Sequence, residues 1–334
     1  WSSDVCSSDL RVFFGSHDKH LYALSAEGKL LWKYATGDKI WGTPALAKDG
    51  ELVVVGSDDD HLHAVTAAKG APVFKVKLGS CNLKAKGAKF KKRGRAAPEA
   101  VRCDVDGSPA VDSKGRVVVG SEGLHLVTPK GEVVATYDAG RHVRSSPAFR
   151  DDGVYLFGAR DDRVYAVDEK GKLLWSFVAR SDVDSTPVLA TDGTLYVGSD
   201  DGRLYAVWPD GEKRWAVVTG GPVRAAAAVG GDGTVYFGSH DGKIYAIEPK
   251  SGRAVWAFPT AGRIQSSPVV DVKGNVYFGS QDGYVYGLDR QGRMLWRFRA
   301  GSDVDSSPTI AGEGRIYVGS DSGTLYALSS PDAI

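Results

Sequence analysis

The sequence predicts an all-β protein in which one four-stranded unit is repeated many times. Three observations carry that prediction. A short stretch recurs along the chain, its glycines are evenly spaced, and apolar residues alternate within it with the period of strands rather than helices. "LYVGSDDGRLYAV" (195–207) is typical; "VFFGSHDKHLYAL" (12–24), "VYFGSHDGKIYAI" (235–247) and "IYVGSDSGTLYAL" (316–328) are three of its relatives. The shared glycines are Gly15, Gly56, Gly120, Gly158, Gly198, Gly238, Gly279 and Gly319, at spacings of 41, 64, 38, 40, 40, 41 and 40 residues. The one long interval exceeds its neighbour by 64 − 41 = 23 residues, the length of the stretch 81–103.

Each unit divides into four strands. "SSPAF" or "SSPTI" is the first, "VYFGS" the second, "KIYAI" the third and "LLWSF" the fourth. Val, Ile, Tyr and Phe dominate them, as strands require. Asp-Gly pairs such as Asp201-Gly202 and Asp241-Gly242 separate the second and third strands. A glycine there accepts the positive φ of a tight hairpin turn at little cost. A second turn, "DEKGK" or "RQGR", joins the third and fourth.

One such unit cannot bury both of its faces, whereas units stacked around a ring cover every face. The fold expected is therefore an eight-bladed β-propeller of four-stranded antiparallel blades, closed by combining the chain ends. The first unit lacks its "SSP" strand and the last stops before a tryptophan strand, so the missing strands are expected upstream of residue 11. Residues 1–10, "WSSDVCSSDL", do not match the repeat and read as a non-native or truncated remnant. The propeller spans 11–329 with an inserted loop at 81–103, and 330–334 is a tail. Trp32, Trp175, Trp215, Trp256 and Trp296 fall ten or eleven residues after the tyrosine of the third strand. That regularity marks them as structural wedges between blades.

Composition narrows the function classes. The 334 residues carry a net charge of +1, so no general attraction to nucleic acid or anionic membrane is indicated. No apolar run approaches the ~18 residues of a transmembrane helix. Nucleophile elbow, phosphate loop and dinucleotide fingerprint are all missing from the sequence. His17 and His20, like His61 and His63, have spacings a metal uses. They lack the cysteine or carboxylate set of a zinc site, and no metal is expected.

Two features stand out as candidate interaction sites. The residues immediately before each first strand are Trp41, Asp106, Arg144, Asp184, Arg224, Gln265 and Asp305. First strands line the channel of a propeller, so these side chains ring one mouth of it, and they differ from unit to unit where the framework repeats. A mouth lined with Asp and Arg suits a small polar ligand or a peptide; alternatively it is a solvated ring of mutually paired charges. The second feature is the insertion itself. It carries eight Lys or Arg against Glu99, including Lys84, Lys86, Lys89, Lys91, Lys92, Arg93 and Arg95, and is bracketed by Cys81 and Cys103. A disulfide between those cysteines would close the loop at its base and imply an oxidising compartment. A basic arm on a rigid scaffold suits an acidic partner or an anionic envelope surface.

"SSPVV…GNVYFGSQDGYVYGLDRQGRMLWRF" (266–298) and "IEPKSGRAVWAF" (247–258) resemble the pyrroloquinoline-quinone-type propeller repeat, with its tryptophan-docking "Y-A-L-D…G…W" pattern. The resemblance covers residues 11 to 329. It implies one of two kinds of protein. Non-catalytic members include BamB, the lipoprotein of the outer-membrane β-barrel assembly machine, which implies protein partners and a periplasmic or outer-membrane-associated location. Catalytic members hold the quinone with Ca²⁺ over the ring centre and carry an adjacent Cys-Cys pair. This sequence has no adjacent cysteines. The expectation is a scaffold without a cofactor. The alternatives are a quinone-dependent dehydrogenase, and a ligand-sensing propeller from a larger receptor or kinase.

Overall fold

The computed structural model describes residues 3–6, 11–78 and 104–329. It contains eight antiparallel sheets, seven of four strands and one of three, each drawn in order from one stretch of chain. Apart from one 3-10 turn at Gly312–Gly314, every regular element is a strand. The fifth blade shows the plan: Val188–Leu189 innermost, then Leu195–Ser199, Arg203–Val207 and, outermost, Lys213–Val218. Inner strands are shorter than the sequence suggests, because "SSP" approaches the ladder as an irregular lead-in and only the last two residues pair.

Burial follows position in the blade. Second and third strands are buried almost throughout, and outer strands alternate exposed and half-buried residues. The apolar clusters lie between blades rather than within them. One joins Leu156, Val164 and Ala166 of the fourth blade to Leu195, Val197 and Tyr205 of the fifth. The repeat's shared glycine is fixed by that stacking. A Cβ on Gly198 would lie 2.3 Å from the carbonyl oxygen of Val223, which leads into the next blade. Such a distance forces the backbone apart, so the position admits only a hydrogen.

The outer-strand tryptophans stitch neighbours together. The indole N–H of Trp32 donates to Ala67 at 3.0 Å, and those of Trp175, Trp215 and Trp256 donate to Pro209, Pro249 and Arg290 at 2.9 Å. Beneath each ring sits the glycine of the next blade's outer turn: Gly70, Gly211, Gly252 and Gly292. The indole nitrogen of Trp296 has no acceptor among the described residues.

The ring closes where the chain ends meet. Ser3–Cys6 pairs with Arg11–Gly15 and completes the first blade as its innermost strand, although nothing in its sequence matches the repeat. The last blade shows three strands among the described residues, Thr309–Ile310, Arg315–Ser320 and Thr324–Ser329. The two blades pack face to face through Val12, Phe14 and Tyr317. In an antiparallel blade, successive connections alternate between the two faces of the disc. Inner-strand lead-ins and second-to-third hairpins thus share one face, the mouth, and the remaining turns share the opposite face.

Candidate partner-binding mouth of the ring

Every residue of the expected ring lies on this mouth face, and the structure shows what each meets. Arg160, two residues after the shared glycine of the fourth blade, donates through Nε and Nη2 to both carboxylate oxygens of Asp184 at 3.0 and 2.8 Å. Arg224 donates in the same way to Asp200 at 2.8 and 2.7 Å. The amide of Gln281 donates to Asp305 at 3.0 Å. Asp106 accepts from His142 at 2.7 Å and from Arg144 Nε at 2.8 Å. Trp41 donates its indole N–H to Asp58 at 2.9 Å and has the His17 ring 4.0 Å away, with Lys39 and Arg144 each 5.8 Å from its own.

The expected residues are therefore half of a double ring. The second half is the hairpin position two residues after each shared glycine: His17, Asp58, Glu122, Arg160, Asp200, His240, Gln281 and Asp321. Sequence reasoning missed this set. Its signal was present, because the position varies beside an invariant glycine, as the lead-in residues vary before "SSP". Three of the pairs join residues 24 apart in sequence and so link one blade's hairpin to the next blade's lead-in. Bidentate guanidinium–carboxylate geometry makes these links directional as well as attractive.

Electrostatics differ around the mouth. Asp184 and Asp106 have side chains only 9% exposed and are held by cations. Burial opposes ionisation of Asp106, but the His142 hydrogen bond and the Arg144 charge together keep its carboxyl below the usual range. Asp182 and Asp58 are compensated less than they are buried. Burial, reinforced by the charge of Asp184, pushes Asp182 up to about 6. Burial outweighs the Trp41 hydrogen bond at Asp58, and with Asp104 and Asp106 nearby its carboxyl also rises to about 6. One oxygen of Asp58 is buried without a partner among the described residues. Burial and the charges of Arg224 and Arg263 depress His240.

Calcium takes six to eight oxygen ligands. The mouth carboxylates Asp106, Asp184 and Asp200 are committed to imidazole or guanidinium, and the described residues hold no group of three His, Cys, Asp or Glu side chains placed to share a metal. Those three carboxylates do not fit the oxygen set of a quinone–Ca²⁺ pair. His61 and His63 sit in the second blade away from any such group. His63, 1% exposed, occupies the position held by tyrosine in other blades and bonds to Asp59 and Tyr34. The basic residues Lys84 to Arg95 and the cysteines Cys81 and Cys103 lie outside the described residues.

A ring of repeated antiparallel blades with a divergent mouth defines a propeller of the quinoprotein-like class. A family model described as outer membrane protein assembly factor BamB matches residues 1–135, 78–222, 120–286 and 281–333, and the chain belongs to that family. The crystal structure of BamB from Moraxella catarrhalis superposes with a TM-score of 0.75 at 20% identity, covering 99% of this chain and 97% of that one. The computationally designed Ika8 protein gives 0.78 at 17% identity, covering 98% and 95%. Identities this low establish the fold alone. Mouse β-alanine-activating enzyme is 32% identical over 81 residues, which are 20% of this chain and 7% of that protein. No helix among the described residues is long and apolar enough to cross a membrane.

Proposed function

We propose that this propeller is a non-catalytic scaffold of the bacterial cell envelope that binds protein partners through its mouth face, in the manner of an outer-membrane assembly factor. One observation carries the reading. The positions at which the repeats diverge pair with one another across blade boundaries, giving a rigid, patterned surface rather than free groups converging on a reacting atom. Catalysis needs a nucleophile, acid or base poised toward a bound substrate. Here Arg144, Arg160 and Arg224 are each paired with a carboxylate, Asp106, Asp184 and Asp200. Membership of the BamB family supports the role in assembly and a periplasmic or outer-membrane-associated location. Leu78 and Asp104, the described residues that flank the basic insertion in sequence, both lie on the mouth face, and the Lys and Arg of the insertion suit an acidic partner there. A Cys81–Cys103 disulfide would suit that compartment, and non-reducing peptide mapping would reveal it.

The test is complementation of a strain lacking its own BamB. Wild-type protein should restore outer-membrane protein levels, and Lys39→Glu with Arg144→Glu should restore them less well at equal abundance. Full restoration by the charge-reversed variant would remove the mouth from the reading.

A further inference from the structure

The face opposite the mouth carries a break in the repeat. In the turn before each outer strand, the first residue caps the turn with its own side chain. Asp168 accepts from the backbone N–H of Lys170 and Lys172 at 2.9 Å, and Asp289 accepts from Gln291 and Arg293 at 2.9 Å. Ser25, Thr128 and Glu248 do the same. In the fifth blade this position is Trp208, which has no such acceptor and leaves 40% of its surface exposed. A local rule broken in a single blade, at a side chain left partly exposed, points to function.

The ring is held in place. The Arg214 guanidinium lies 4.2 Å from its centroid and is itself fixed by Asp192 at 3.0 Å and Thr194 at 2.8 Å. Exposed, pre-positioned Trp and Arg are the residues that anchor protein interfaces. Beside them lies a small open cavity of about 150 Å³ whose wall includes Arg150. Arg150 also donates to the carbonyl of Pro209 in the Trp208 turn at 3.3 Å, so cavity and turn adjoin. The cavity is lined by four acids, Asp112, Asp151, Asp152 and Glu169, against three bases. Each base already faces an acid, which leaves Asp151 in excess. The turn adds exposed Asp210 and Glu212.

We propose that the Trp208 turn and this cavity form a second docking surface, for a protein segment bearing Lys or Arg. The methylene stem of such a side chain would lie on the indole, and its charge would meet Asp210, Glu212 and Asp151. The scaffold would then hold two partners at once, one on each face of the disc.

The test follows indole N–H resonances of the full chain, with Trp208 assigned by Trp208→Phe, during titration with a synthetic peptide of alternating Leu and Arg. A saturable shift at Trp208 is expected. Trp208→Ala should weaken binding by about tenfold, the loss of one anchor. Glu212→Lys, on an exposed side chain, should weaken it several-fold with the fold intact. An unmoved Trp208 signal would overturn the proposal, as would an equal shift with a Leu–Glu peptide or unchanged affinity in both variants. A shift confined to Trp41 would assign basic segments to the mouth and overturn it too. None of these outcomes bears on the complementation test of the mouth, so the two readings fail separately.

Discussion

Gly292→Ala should be far more destabilising than the same change at Gly28, and the difference measures what a tryptophan wedge contributes. Both glycines occupy the same place in the turn before an outer strand, with φ of +79° and +82°. Alanine at either position carries the strain of a left-handed conformation, roughly 1–2 kcal/mol. Above Gly292, however, an added Cβ would lie 2.6 Å from Cδ2 of Trp256, whereas above Gly28 it meets nothing within 4 Å among the described residues. The overlap must push the indole off its hydrogen bond to Arg290, which overpacking and a lost hydrogen bond put at about 2–3 kcal/mol more. Gly28→Ala should therefore cost about 1–2 kcal/mol and Gly292→Ala about 3–5 kcal/mol. In a Trp256→Ala background the cost of Gly292→Ala should fall to that of Gly28→Ala, a clear non-additivity between touching residues. Guanidinium unfolding followed by far-UV circular dichroism measures all of these. Equal costs at the two glycines, or an unchanged cost in the Trp256→Ala background, would refute the wedge argument.

Further outcomes follow from the mouth. Arg160→Ala leaves Asp184 nearly buried without its guanidinium and should cost about 2–3 kcal/mol, read by the same unfolding assay. Asp58 has a folded-state pKa raised from 3.8 to about 6, so the folded chain binds that proton more tightly between those values. The resulting stability is present at low pH and is lost as pH rises through about 6. Asp58→Asn should remove this dependence while keeping an acceptor for Trp41. It should raise the unfolding free energy at pH 8 by under about 1 kcal/mol, because the group is partly solvated, with a matching rise in Tm. Thermal melts across pH 4 to 8 would show it.

Much of the fold was legible because the units repeat. Gly198 and its counterparts are written into the sequence by the close approach of the next blade, and Trp175 and its counterparts by the carbonyl each must reach. What was not legible has physical causes. Ser3–Cys6 forms a strand by pairing with Arg11–Phe14, which "SDVC" does not signal. The mouth was half legible. Lead-in residues such as Asp184 stand before a fixed "SP" or "TP" and draw notice, while Arg160 hides in a hairpin that resembles an ordinary charged turn. Their pairing crosses a blade boundary, so no short-range pattern reveals it. Trp208 passed unnoticed for a related reason. Its place in the turn is plain only once the neighbouring turns show their side-chain caps.

The most direct test of the central claim is a tryptophan-fluorescence titration with pyrroloquinoline quinone, with and without Ca²⁺, followed by a dye-linked alcohol oxidation assay. The account predicts no saturable, Ca²⁺-dependent quenching and no turnover, as expected of a mouth in which Asp184, Asp200 and Asp106 are already held by Arg160, Arg224, His142 and Arg144. Saturable quenching that requires Ca²⁺, together with turnover, would contradict it and make the mouth an active site.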